Sequence, residues 1–110
     1  MNNTNIPDET KSCAESCSEC HEVCLRTATM RCIELSGGKH GLLSLLYRCS
    51  QICQTAADFL SRDSMRHSTI CRVCAETCDA CAKECERLGD MEECAEACRL
   101  CAANCREMLE

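Results

Sequence analysis

The chain has 110 residues, enough for one small domain, and sixteen of them are cysteine. Its net charge is −6, which argues against nucleic acid or an anionic membrane surface as partner, because both demand a basic face. The opening residues MNNTNIPDETKSC lack the basic and apolar regions of a secretory signal, and no apolar run is long enough to cross a bilayer. A cytoplasmic location with reduced thiols is therefore expected. Tyr47 and Phe59 are the whole aromatic complement. With so thin a conventional core, free cysteine, which packs as a small hydrophobe, must supply much of the interior.

In chain order, Pro7-Asp8 opens a long segment rich in Ala, Glu and Cys that closes at Gly37-Gly38, and it predicts a first helix over about 9–36. A Gly-Gly-Lys turn leads into a second helix over about 40–62. After a break at Arg62-Asp63-Ser64, where Asp63 or Ser64 can cap, a third helix runs from about 64 to 88. Gly89 stands at its C′ position. Asp90, with Glu93 three residues on, has the spacing of a capping box for a fourth helix over about 90–109. Short connections make successive helices antiparallel neighbours. The expected fold is all-α: one antiparallel up-down-up-down four-helix bundle over 1–110, with a cysteine-lined core.

The cysteine spacing carries most of the information. Helix 1 holds Cys13, Cys17, Cys20, Cys24 and Cys32; helix 3 holds Cys71, Cys74, Cys78, Cys81 and Cys85; helix 4 holds Cys94, Cys98, Cys101 and Cys105. Steps of three and four alternate, the 3.5-residue period of a helix seam facing its neighbours. Helix 2 keeps the period with mixed content: Leu42, Leu46, Cys49, Cys53, Ala56, Leu60. At the ends the period passes to His67, Leu88, Met91 and Met108.

Three uses compete for these thiols. Cβ atoms at i,i+3 and i,i+4 on a helix lie roughly 5–6 Å apart, whereas a disulfide needs about 3.5–4.5 Å, so bridging within a helix would distort it. Zinc takes four ligands in a closed tetrahedron, usually from CxxC knuckles on turns. Here the CxxC pairs Cys17/Cys20, Cys71/Cys74, Cys78/Cys81 and Cys98/Cys101 lie inside helices. Each four-thiolate zinc also buries net negative charge with no cation on the seam. Cu(I) is soft and monovalent, prefers thiolate, and accepts as few as two sulfurs. Replacing a thiol proton by Cu⁺ leaves the core charge unchanged. If every thiolate bridges two coppers and every copper takes two thiolates, the ceiling is about sixteen ions.

The CxxxCxxCxxxC runs of helices 1 and 4, with the related run of helix 3, resemble the bacterial copper storage proteins, and the lack of an export signal resembles their cytosolic branch. The resemblance covers essentially the whole chain. It implies a bundle whose sixteen thiols point inward, binding of many Cu(I) ions, a homotetramer of bundles, and metal uptake at one end assisted by His and Met. Antiparallel topology groups Cys13, Leu60, His67, Cys71, Cys105 and Met108 at one end. Cys32, Leu42, Leu46, Cys85, Leu88 and Met91 fall at the other, where three leucines make an apolar plug. The His67/Met108 end is the expected mouth, with His67 and Met108 as auxiliary ligands and a copper chaperone or a small thiol as donor. Met91 and Met108 otherwise read as core plugs. His21 and His40 are expected to be solvated, and Ile52, Ile70, Val73 and Leu100 pack between helices or between subunits. Zinc or cadmium sequestration of the metallothionein kind, and a thiol redox or iron–sulfur protein, are the alternatives. No paired-carboxylate, Ser/His/Asp or Gly-rich phosphate motif argues for an enzyme.

Overall fold

The computed structural model describes residues 6–35, 41–62 and 66–109. The Gly37-Gly38 turn, His40 and the Asp63/Ser64 cap fall outside those residues. Five helices follow one another: α1 (Asp8–Met30), α2 (Cys32–Leu35), α3 (Leu42–Ser61), α4 (His67–Leu88) and α5 (Glu92–Glu107). No strand occurs among the described residues. The four long helices form an antiparallel bundle, 47 × 25 × 20 Å overall, in which α1 packs on α3, α3 on α4, α4 on α5, and α5 closes back on α1.

Each helix turns one apolar stripe to the centre, as its 3.5-residue pattern dictates. In α4 the stripe is Cys71, Cys74, Ala75, Cys78, Cys81, Ala82 and Cys85; in α5 it is Cys94, Ala95, Cys98, Cys101, Ala102 and Cys105. Alanine beside cysteine keeps the side chains of both stripes short. The outer faces carry exposed ion pairs, Arg26–Glu93 between α1 and α5, and Arg99–Glu86 and Arg106–Asp79 between α4 and α5. Exposed pairs of this kind contribute little, about 0–1 kcal/mol each.

Four expectations differ from the structure. Helix 1 stops at Met30: Arg31 leaves the helical region (φ −115°, ψ 17°), and the chain resumes as the short α2. That break rotates Cys32 off the stripe and buries Leu35 instead. The Asp90/Glu93 capping box does not form. Asp90 sits at φ +67°, the first turn of α5 begins at Glu92, and no side chain caps it. Leu88 is 37 % exposed and is no part of a plug. His21 is not solvated: the Ser50 hydroxyl donates to the His21 carbonyl (3.0 Å), and His21 Nδ1 lies 2.9 Å from the Ser50 carbonyl, clasping α1 to α3. Of the apolar residues off the seam, Ile52 and Ile70 pack against the core, whereas Val73 and Leu100 are exposed.

Candidate metal centre

Fifteen of the sixteen cysteines are buried, each at most 1 % exposed: four from α1, two from α3, five from α4 and four from α5. Only Cys32, on α2, is partly exposed. The buried sulfurs form overlapping groups whose members lie within 4.8 Å of one another. From the start of α1 these are Cys13, Cys71 and Cys105; then Cys17, Cys74, Cys101 and Cys105; then Cys20, Cys53, Cys78 and Cys101; then Cys20, Cys24, Cys49 and Cys98; then Cys24, Cys81, Cys94 and Cys98. Successive groups share Cys105, Cys101, Cys20, and finally Cys24 with Cys98. The sharing makes one continuous ladder along the bundle axis, and Cys85, buried one turn beyond Cys81 on α4, stands at its end.

Neighbouring sulfurs stand at 3.5 Å (Cys53 and Cys78), 3.6 Å (Cys24 and Cys98), 3.7 Å (Cys74 and Cys101) and 3.8 Å (Cys20 and Cys24). These separations are far beyond a disulfide bond of about 2.05 Å. A metal–thiolate bond is roughly 2.3 Å for zinc, so two sulfurs on one ion stand no more than about 4.6 Å apart. The ladder lies within that reach at every rung quoted. Cys20 and Cys24, one turn apart on α1, are also close enough to share an ion.

The lining is electrically bare. Thr10, Ser16 and Ser50 are the only buried polar side chains besides cysteine among the described residues, and no Lys or Arg is buried. Ser16 is satisfied locally, donating to the Cys13 carbonyl (3.0 Å) and accepting from Asn104 Nδ2 (3.0 Å). The thiols therefore tune one another. Hydrogen bonds from Cys101 and Cys24 push Cys20 down, and hydrogen bonds from Cys24 and Cys81 push Cys94 down. Hydrogen bonding to Cys101 and Cys20 pushes Cys78 up. Cys71 is pulled down by Cys105, but hydrogen bonding to Cys13 and burial outweigh this and push it up to about 12. A thiolate formed in this seam is held by the S–H groups of neighbours, which are thereby kept protonated.

His67 begins α4 one turn before Cys71 and is half-buried, outside the sulfur groups. Met108 follows the last turn of α5 and packs half-buried against the core. Both stand at the Cys13/Cys71/Cys105 end. At the opposite end Leu35, Leu42, Leu46 and Met91 are buried. The His21–Ser50 clasp went unread in the sequence, where the one available signal was a serine on the period beside Cys49.

Comparison with known proteins identifies the ladder's setting. Residues 2–110 match the model of a family described as copper storage protein. The chain belongs to the copper storage protein family. Within the wider set of relatives, it is 35 % identical over 77 residues to an uncharacterised cysteine-rich protein, YhjQ, of Bacillus subtilis, covering 68 % of this chain and 70 % of that one. Among solved structures, the Nmul_A1745 protein of Nitrosospira multiformis superposes with a TM-score of 0.84 at 43 % identity, over 92 % of this chain and 94 % of the other. Apo copper storage protein 3 of Bacillus subtilis gives 0.78 at 35 % identity, over 92 % and 99 %. The Cu(I)-bound copper storage protein BsCsp3 gives 0.81 at 32 % identity, over 94 % and 100 %.

Proposed function

We propose that this chain stores many Cu(I) ions on the thiolates of its core, and that the observation carrying this reading is the sharing of cysteines between successive sulfur groups. Isolated four-cysteine sites would suit a few tetrahedral ions. A ladder in which Cys20, Cys24, Cys98, Cys101 and Cys105 each serve two groups suits a soft ion that takes few ligands and bridges through sulfur. Charge favours the same ion. Each four-thiolate zinc would leave two net negative charges in a core with no buried Lys or Arg, which is costly. Exchange of H⁺ for Cu⁺ adds none.

In this reading the fifteen buried cysteines are the ligands and Cys32 stands apart. His67 and Met108 assist uptake at their end of the bundle, from a copper chaperone or a small thiol. The chain acts as a cytoplasmic store without catalytic activity. The exposure of Val73 and Leu100 (44 % and 57 %) supports self-association of bundles through the α4 and α5 surfaces, to a homotetramer. Titrating the reduced protein with Cu(I) against a competing chelator tests the function. Saturation near one ion per seam thiol, roughly fifteen, is expected, and saturation at one to four ions overturns storage.

A further inference from the structure

The end of the bundle opposite His67 is only half closed by leucine. Leu35, Leu42 and Leu46 fill the α2 and α3 side. On the α4–α5 side the chain reverses through Gly89 (φ +82°), Asp90 (φ +67°) and Met91. This conformation is unfavourable for a non-glycine residue and directs Met91 into the core, where it is 7 % exposed. Two surface clefts flank this turn. One, of about 270 Å³, runs from Arg26 and Met30 past Met91 to Cys94. The other, of about 180 Å³, runs from Arg99 past Met91 to Cys85. Cys94 and Cys85, each 1 % exposed, thus line the two clefts beside one thioether. At the His67 end a cleft lined by Lys11, Ala14, Glu15 and Ser61 meets Leu60.

The turn is tied from outside. Arg31, at the joint between α1 and α2, donates to the Asp90 carbonyl at 2.7 Å and lies 3.8 Å from its carboxylate, while its Nε is held by Glu34 at 2.9 Å. No side chain caps the start of α5, and this guanidinium ties the turn to the joint between α1 and α2.

We propose that the α4–α5 turn is a second door to the thiol seam, closed by Met91 and latched by Arg31, at which a low-molecular-weight thiol exchanges Cu(I) with Cys85 and Cys94. The proposal rests on the Cu(I)-storage reading. The clefts are too small for a folded partner and are lined by Met91 with Cys94 or Cys85, which selects a small soft ligand. The exchange is balanced without any redox change. The incoming thiol forms a sulfur–copper bond, the Cys94 sulfur–copper bond breaks, and the proton of the incoming thiol passes to Cys94. The Met91 thioether holds the ion weakly as it crosses.

The test uses the full chain, loaded with copper to a measured stoichiometry, with N-acetylcysteine as the thiol and a chromogenic chelator recording the transfer rate. Loss of a charge-assisted hydrogen bond in Arg31→Ala should speed exchange about tenfold. Met91→Leu, which keeps the plug's volume but removes the soft ligand, should slow it roughly threefold. In the reduced apoprotein, a limiting dose of N-ethylmaleimide should modify Cys85 and Cys94 ahead of Cys20 and Cys101, and Arg31→Ala should widen that lead. Wild-type exchange rates in both variants, or modification of mid-seam thiols first, overturn the door. If Arg31→Ala fails to fold, Met91→Leu and the modification order decide. Saturation of the wild-type chain at one to four ions would sink storage instead, and the modification order, read without metal, separates the two failures.

Discussion

The wall that α3 contributes to the core differs from the other three. α4 and α5 present sulfur along most of their buried stripes and α1 along half of its own, whereas α3 presents Leu42, Leu46, Ala56, Ala57 and Leu60, with Cys49 and Cys53 only at its middle. Leu42, Leu46 and Leu60 head the largest fully buried side chains. The bundle therefore divides its labour: the thiol walls offer ligands and bury modest apolar area, and α3 supplies aliphatic packing that holds the four helices together before any metal arrives. Burial of a leucine side chain contributes about 1.5–3 kcal/mol, more than a lone thiol can.

Metal loading gives the largest contrast between the two kinds of wall. Each ion that binds only the folded chain adds about 4 kcal/mol when its free concentration is a thousand times its dissociation constant, so stripping copper should lower the unfolding temperature by far more than any single substitution. Differential scanning calorimetry of apo and loaded protein measures it. A similar midpoint in both states would mean that the seam is not where copper binds.

Within the apoprotein the leucine wall should dominate. Leu46→Ala should cost about 2–5 kcal/mol, whereas Cys78→Ala, which deletes one small sulfur, should cost about 1 kcal/mol. Urea denaturation of reduced protein compares them. In loaded protein the order should narrow or invert, because Cys78 sits in a shared sulfur group and Leu46 does not.

Much of this was legible in the sequence because the stripe has a period that only a helix seam explains. The alternation of three and four from Cys71 to Cys85 and from Cys94 to Cys105 placed nine thiols inward, and the two-cysteine content of α3 marked the odd wall. What escaped were features set by backbone turns and by contacts between helices. Cys32 continues the step of four through Ala28, so a single helix would have carried it inward, but the break at Arg31 turns it away. Asp90 has the spacing of a cap, yet its positive φ removes it from the capping geometry, and Arg31 takes its carbonyl. His21 was expected in solvent because the period shows which face a residue shares, not that Ser50 on another helix would meet it.

Cysteines inside and outside the ladder should separate in capacity. Cys101 belongs to two sulfur groups and Cys32 to none, so Cys101→Ser should lower the Cu(I) endpoint by about one to two ions and Cys32→Ser by less. Titration against a chelator reads both, and equal losses would place Cys32 in the seam. Loading should also acidify the solution. Cys71 is pushed up to about 12 and is protonated at neutral pH, so copper must displace its proton. Affinity then rises with pH, by about tenfold per unit for each proton released. A pH-stat titration without acid release would exclude thiol ligation there.

The smallest expected effect is kinetic and lies where the two kinds of wall meet at the His67/Met108 end, the proposed mouth. At the start of α4 the end group Cys13, Cys71 and Cys105 has Leu60 as its neighbour on the α3 side, buried and without a ligand atom. An ion arriving there finds soft or imidazole donors only on the other walls, from His67 before Cys71 and Met108 after Cys105. Replacing both with leucine extends the character of the α3 wall around the opening. Stopped-flow uptake from a weak Cu(I) complex should slow by roughly threefold to tenfold, in line with the loss of two weak ligands. An unchanged rate would mean that the end group captures copper unaided, and that the contrast between the walls governs stability and capacity without governing access.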